Sequence, residues 1–201
     1  YPGWEGMRLA DCQTMLADIC AAAGGTPLVH YNSARGGRQH DGAEYARLAA
    51  DFPSLIGSKL VAEDTVFLAT ILHEAPALAH FVGEYSFVTG MAMGAQGMYS
   101  SFFALNPGLM VRWYEACIAG DWSEAIAIHQ AVMRYKCGFM IRYNREGWFS
   151  AARDKMLFLL NPNLRGAYSG GYPYSCPPAS VINDARDFIK RECPKLLEGM
   201  D

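Results

Sequence analysis

Residues 26–59 read TPLVHYNSARGGRQHDGAEYARLAADFPSLIGSK. Two short apolar runs, 27–31 and 55–59, stand at the ends, joined by a Gly/Arg turn and one helical segment. Each run closes on a side chain suited to proton transfer or nucleophilic attack, Tyr31 in the first and Lys59 in the second. A strand, a helix and a second strand in that order make a βαβ unit, with two parallel strands whose carboxyl ends share one rim. The reading of the whole chain depends on Tyr31 and Lys59 being neighbours there.

The bulk numbers narrow what surrounds this unit. The chain has 201 residues, enough for one domain with a sizeable core. Hydrophobic residues make up 51% and charged residues 18%, the balance of a globular chain rather than a disordered one. A net charge of -3 argues against nucleic acid or an anionic membrane as partner. An anionic substrate would need a local arginine or backbone amides. The six cysteines (Cys12, Cys20, Cys117, Cys137, Cys176 and Cys193) show no CxxC and no zinc-type spacing to histidine. They are expected as reduced, mostly buried thiols, with disulfides as the alternative. No apolar run reaches the roughly 18 residues of a membrane span, and no signal-peptide pattern is visible. The first residue, Tyr1, is not a methionine, which reads as a trimmed, processed or incomplete N-terminus. The expected location is cytoplasmic.

Outward from the opening unit, the βα alternation continues. A helix is expected over 7–23, stopped by Gly24-Gly25. Strands are expected at 26–31, 54–59, 78–83 and 97–101. Between them come helices at 42–50, 63–73 and 85–94, the first capped by Asp41 with Glu44 three residues on. In the 63–73 helix, Val66, Phe67, Ala69, Thr70 and Ile71 are the candidates for the inner face. Asn106-Pro107 opens a helix over 108–118, and a long helix follows over 122–143. Repeated strand–helix units with short connections predict a parallel sheet with right-handed crossovers, apolar on both faces. Past about residue 120 helices dominate, then a Gly/Pro/Tyr-rich stretch over 161–180, then a closing amphipathic helix over 180–197. The expected division is a (β/α) portion over 1–120 and a helical extension over 121–201.

Lys59 is the most informative residue. The chain has five lysines, and the other four (Lys136, Lys155, Lys190 and Lys195) lie in the helical C-terminal part. A lysine closing an apolar strand either reaches out to solvent or sits in a pocket that favours the neutral amine, the form that attacks a ketone to make a Schiff base. Tyr31 is either a packed core tyrosine or a general acid/base passing protons to the substrate. Arg35 and Arg38 follow in a Gly-bearing loop on the same side. Each is either a clamp for a carboxylate or a solvated loop charge, the latter reading preferred for Arg38. His30 alternates to the opposite face of its strand and reads as packing. Glu84 follows Gly83 at a strand end and so could reach the rim, but a helix-capping or surface role is preferred for it. Ser100, Ser101 and Tyr99 or Phe102 could wall the pocket. The remaining histidines are scattered, so no metal is assigned, and no cofactor is called for.

In these residues the chain resembles the dihydrodipicolinate synthase / N-acetylneuraminate lyase family of class I, pyruvate-type aldolases. Tyr31-Asn32-Ser33-Ala34-Arg35 is similar to the family's strand-ending Tyr-Asn, turn and Arg, one residue shorter in the turn. Gly57-Ser58-Lys59 matches its Gly-x-Lys. Gly83-Glu84 resembles its Gly-Asp strand end, and Gly94-Ala95-Gln96-Gly97-Met98-Tyr99-Ser100 its small-x-Gly-hydrophobic-hydrophobic-Ser strand. The resemblance covers residues 1–130 well and the later helices loosely.

The resemblance implies a (β/α)8 TIM-barrel fold and a Schiff base between Lys59 and pyruvate or another 2-oxo acid. Tyr31 would relay protons and Arg35 would guide the carboxylate; Gly83, Tyr99 and Ser100 complete the substrate-binding candidates. The partners implied are a small 2-oxo acid, an aldehyde and further copies of the chain in a dimer or tetramer. Two departures put the acceptor substrate in question: Leu60-Val61-Ala62-Glu63 follows the lysine where the family has Glu-Ala/Ser, and the usual Pro of the Tyr-Asn turn is missing. The larger departure is length. A full barrel takes about 250 residues and eight strands, and four strands are expected here. The family's Gly-Thr/Ser-Thr/Ser-Gly-Glu segment, which holds the pyruvate carboxylate, is not in the sequence. The chain is therefore read as part of a longer protein, with pairing to another half, or a truncation that has lost activity, as alternatives. On this reading the 201-residue chain alone does not turn over a 2-oxo acid, and the competing function is a non-catalytic ligand-binding or regulatory relative.

Overall fold

The computed structural model describes residues 6–62, 64–147, 150–164 and 174–200. The expectations that touch Tyr1, Glu63 and residues 165–173 lie outside these. The chain divides into two compact units, residues 1–99 and 100–201.

The first unit alternates helices and strands in the expected order. Helix α1 (Leu9–Ala23) ends on Gly24, whose φ of 58° is the left-handed conformation glycine adopts without a Cβ penalty. Strand β1 (Leu28–Asn32), helix α2 (Gly42–Asp51), strand β2 (Leu55–Leu60), helix α3 (Thr65–Glu74), strand β3 (Ala79–Val82), helix α4 (Phe87–Ala92) and strand β4 (Gly97–Met98) follow. The side chains of Asp41 and Asp64 cap α2 and α3, accepting from the backbone N–H groups of Glu44 and Phe67. All strand pairs are parallel, in the order β1-β2-β3-β4. Four parallel strands alternating with helices make this part of a (β/α)8-type barrel.

Three expectations need correction. Of the expected inner residues of α3 only Ile71 is fully buried, joined by Leu68 and Leu72, while Val66 is 72% exposed. The helix is apolar nearly all round, so its periodicity does not single out a face. Strand β4 is two residues rather than five, because Ser100 leaves the ladder to cap the 3-10 turn Ser101–Ala104, accepting from the Phe102 N–H at 3.0 Å. Glu84 is not at the surface but buried, in the first turn of the 3-10 segment Glu84–Ser86.

Polar side chains on one face of the sheet form a hydrogen-bonded layer in which Ser58, His80 and His40 are buried. The Nε2 atom of His80 lies 2.8 Å from the Ala75 carbonyl, which can only accept, so Nε2 carries the proton. Burial holds His80 below its ordinary value and hence neutral, leaving Nδ1 to accept from the Ser58 hydroxyl at 2.7 Å. His30 Nδ1 pairs with the Tyr45 hydroxyl at 2.7 Å, and the rings of His40 and His80 lie about 6 Å from the Tyr45 ring. Burial, reinforced by His40, brings His30 down to about 4.

The second unit is helical. It contains the turn Ser101–Ala104, α5 (Pro107–Ala119), α6 (Trp122–Tyr135), a π-helical stretch Lys136–Met140, α7 (Ile141–Arg145), α8 (Ser150–Leu160), α9 (Ala179–Glu192) and a closing 3-10 turn Pro194–Leu197. The expected single helix over 122–143 is thus interrupted by one π turn. At that turn a Cβ on Gly138 would meet the Phe188 ring at 2.7 Å. Asn106 caps α5, as its Asn-Pro sequence suggests, and its amide group also donates to the Leu196 and Glu198 carbonyls. Helix α5 packs against α6 and belongs to this unit, whereas the division expected at residue 120 grouped it with the sheet. All six cysteines are free thiols, with Cys12, Cys117 and Cys193 buried. Among the described residues no helix is long and apolar enough to cross a membrane.

Candidate active site

The site follows from strand register. In the β1–β2 pair, Leu28 stands opposite Leu55 but Val29 stands opposite Gly57, so one residue of β2 is skipped. From there the pairing runs in step, and Tyr31 is the partner of Lys59. Parallel partners project to the same face, so the tyrosine and the lysine stand side by side at the carboxyl ends of adjacent strands. Gly57 has its own reason to be glycine: a Cβ there would lie 2.5 Å from the Ala79 carbonyl oxygen of β3.

The Lys59 Nζ lies over two aromatic rings, 4.2 Å from the centre of Tyr31 and 4.3 Å from that of Tyr99. Both distances fall within the roughly 6 Å range where a ring face attracts a cation. The Tyr99 hydroxyl donates to the Leu60 carbonyl at 2.7 Å. Burial, then the neighbouring Tyr31 and Glu84 side chains, push that phenol well above its ordinary value. Tyr31 differs: it is 51% exposed, and among the described residues its hydroxyl has no hydrogen-bond partner.

Beside these rings is a cavity of about 210 Å3, whose lining includes Tyr31, Ser33, Arg35, Gly83, Glu84 and Tyr99. That is room for a small molecule carrying a few polar groups. The loop bearing Arg35 is held from below. Asn32 exchanges two hydrogen bonds with the backbone of His40, at 2.8 and 2.9 Å, and Gln39 donates to the Val61 carbonyl at 2.9 Å. The Ser33 hydroxyl accepts from the Arg35 N–H at 3.3 Å, leaving the exposed Arg35 side chain on the cavity wall. Arg38 is engaged elsewhere, with the Glu44 carboxylate and the Met7 carbonyl, and belongs to the scaffold.

Of the sequence candidates, the structure brings Tyr31, Lys59, Arg35, Gly83 and Tyr99 into one neighbourhood of the first unit. Ser100 opens the second unit, where its hydroxyl accepts from Phe102 and lies 3.8 Å from the Met110 sulfur. Two further residues line the cavity: Glu84, able from its sequence position to reach the rim but preferred there as a cap or surface group, and Ser33, not among the sequence candidates. Glu84 had a signal in its place directly after the strand-ending Gly83; Ser33 had none beyond lying in the same loop as Arg35.

Comparison with known proteins places this geometry in context. The model of the dihydrodipicolinate synthetase family matches residues 10–147. Among solved structures, YagE, a prophage protein of that family from E. coli K12 in complex with pyruvate, is 15% identical, with a TM-score of 0.82 over 94% of this chain and 63% of its own. Dihydrodipicolinate synthase from Bacteroides thetaiotaomicron is 18% identical, with a TM-score of 0.80 and the same coverage of 94% and 63%. CdNal from Clostridium difficile, in complex with mannosamine, is 14% identical, with a TM-score of 0.75 over 94% and 63%. The chain therefore spans a little under two thirds of the length of these structures. No curated protein matches it.

Proposed function

The chain belongs to the dihydrodipicolinate synthetase family, and from that premise we propose that it carries the nucleophile and proton relay of a class I aldolase or lyase acting on pyruvate or a related 2-oxo acid. The observation that carries this reading is the Lys59 Nζ at 4.2 Å over Tyr31, at the carboxyl ends of paired strands. A fold neighbour bound to pyruvate supports a small 2-oxo acid as ligand.

The chemistry balances with the residues at hand. The neutral Lys59 amine attacks the keto carbon; a C–N bond forms and the carbonyl oxygen takes up a proton, giving a carbinolamine. That oxygen leaves as water, and the product is a protonated imine. Its positive nitrogen draws an electron pair from an adjacent C–H or C–C bond, so that bond breaks and an enamine forms. Run backwards, the same steps make a C–C bond to an aldehyde. Tyr31, half-exposed beside the nitrogen, is the group to move protons on and off these intermediates. Arg35 on the cavity wall is suited to the substrate carboxylate. Gly83 and Tyr99 shape the same wall, and Ser100 is the remaining substrate-binding candidate. The imine itself is the electron sink, so this reading requires no cofactor.

The test is borohydride reduction in the presence of pyruvate, followed by peptide mass spectrometry. Hydride from borohydride converts the protonated imine to a stable secondary amine. The expected result is an adduct on the peptide containing Lys59, absent from Lys59→Met; an unmodified wild-type chain overturns the reading. Completed turnover asks for more. Strands β1 and β4 are each paired on one side only in the described sheet, so the isolated 201-residue chain is expected to trap pyruvate without sustained cleavage or synthesis. A non-catalytic ligand-binding role is the alternative, and it predicts pyruvate binding by NMR with no adduct. A cytoplasmic dimer or tetramer is the setting we assign to it.

A further inference from the structure

Tyr99 is fixed on several sides, and its ring is what remains to act. Its hydroxyl proton is committed to the Leu60 carbonyl at 2.7 Å, and its backbone N–H bonds the Val82 carbonyl at 3.0 Å. Gly83 leaves the space it occupies, since a Cβ there would meet the Tyr99 hydroxyl at 3.1 Å and the ring at 3.3 Å. The phenol is kept protonated by its burial, with Tyr31 and Glu84 adding to the effect, so it is a poor proton carrier. What Tyr99 presents to the lysine is a ring face, 4.3 Å from Nζ. Two tyrosines thus border one nitrogen with different parts available: Tyr31 a hydroxyl without a hydrogen-bond partner among the described residues, Tyr99 only its π-system.

We propose that Tyr99 is a positioning residue whose ring holds positive charge on the Lys59 nitrogen, so that an imine formed there stays protonated. The inference rests on the Schiff-base reading and adds a second aromatic group to it. An amine, a carbinolamine and an unprotonated imine are neutral at nitrogen, whereas the protonated imine is a cation. The negative face of a ring attracts only the last of these. Only the protonated imine pulls electrons strongly enough to break the neighbouring bond, so its charge is what the chemistry depends on.

This role has a pH signature that simple packing lacks. Where the resting lysine is an ammonium ion, it and the protonated imine carry the same charge, and the ring favours neither. Where the resting lysine is a neutral amine, the ring favours the imine cation over everything it competes with. Removing the ring therefore costs more trapped adduct as pH rises.

The experiment measures borohydride-trapped pyruvate on the Lys59 peptide between about pH 7 and 10, in wild type, Tyr99→Phe and Tyr99→Leu. The phenylalanine variant keeps the ring and is expected within about twofold of wild type throughout. The leucine variant is expected near wild type where the resting lysine is an ammonium ion and progressively lower as pH rises, toward about tenfold where it is a neutral amine, in the range of a desolvated cation–π contact. Circular dichroism checks folding, and if leucine unfolds the chain, Tyr99→Met carries the same expectation. A leucine or methionine variant that follows wild type at every pH overturns the proposal, as does a phenylalanine variant that falls with them. Absence of adduct from wild type overturns the Schiff-base reading, and this proposal with it.

Discussion

Val29, Tyr31 and Lys59 stand on one face of the described sheet; His30, Ser58 and His80 stand on the other, and His30 and Ser58 are each one residue along the chain from a member of the first set. On the first face Val29 and Tyr31 are each 51% exposed, and the lysine meets ring faces. On the second, Ser58 and His80 are buried and bonded to each other, with His80 reaching on to a backbone carbonyl and His30 to the Tyr45 hydroxyl. The difference teaches where reactivity can be kept. A polar group already matched to a partner is held in one protonation state and one orientation, which makes it good structure and a poor reagent. The alternation of a strand lets a single segment supply both.

Breaking the first face should have the largest effect, and it should be chemical. Tyr31→Phe keeps the ring near the lysine and removes the hydroxyl. Deuterium exchange into the methyl group of pyruvate, followed by NMR, is expected to slow about a hundredfold or more. Stability in urea should move by no more than about 0.5 kcal/mol. Equal exchange rates in variant and wild type would remove Tyr31 from the relay.

Acid should break the second face next. His30 and His80 have folded-state values below the ordinary 6.5, for burial above all. The unfolded chain therefore binds more protons, and the stability they contribute is complete above about 6.5 and lost as pH falls. For His30 the loss runs from about 6.5 down to about 4, which amounts to roughly 3 kcal/mol across the window. Urea midpoints measured down this range should fall, and less steeply in His30→Gln; parallel curves would show that the cluster does not govern the acid limb.

The smallest effect expected is that of Ser58→Ala, next door to the lysine but on the opposite face. It removes the hydroxyl that donates to His80 and should cost about 1–3 kcal/mol of stability. Borohydride trapping per folded molecule should stay at the wild-type level. A loss of trapping without a loss of stability would mean that the two faces are not independent.

Much of this was legible in the sequence because it rests on local rules. Gly24 after α1, Asp41 before α2 and Asn106 before α5 are read from the conformations and hydrogen bonds those residues allow, and the structure uses each of them so. The βα alternation carried the parallel order, and the period of a strand put His30 opposite Tyr31. What was not legible depends on neighbours distant in sequence. The inner face of α3 is chosen by what packs against it, since Val66 and Leu68 are equally apolar. The burial of Glu84 depends on where the chain returns after β3. From the sequence Tyr99 or Phe102 is a candidate wall of the site, whereas the ring contact of Tyr99 with the lysine and its bond to the Leu60 carbonyl depend on the folded chain.

The skipped residue between β1 and β2 has one more consequence. Had the pairing run on without it from Leu28 and Leu55, Tyr31 would face Ser58, and Lys59 would fall beside Asn32. The two groups would then project to opposite sides of the sheet. Their meeting is thus a matter of parity: it depends on how many residues separate each from the start of its strand. Along this pair of strands, insertions and deletions test the site in a way that substitutions cannot, because an exchange of side chains leaves the count unchanged.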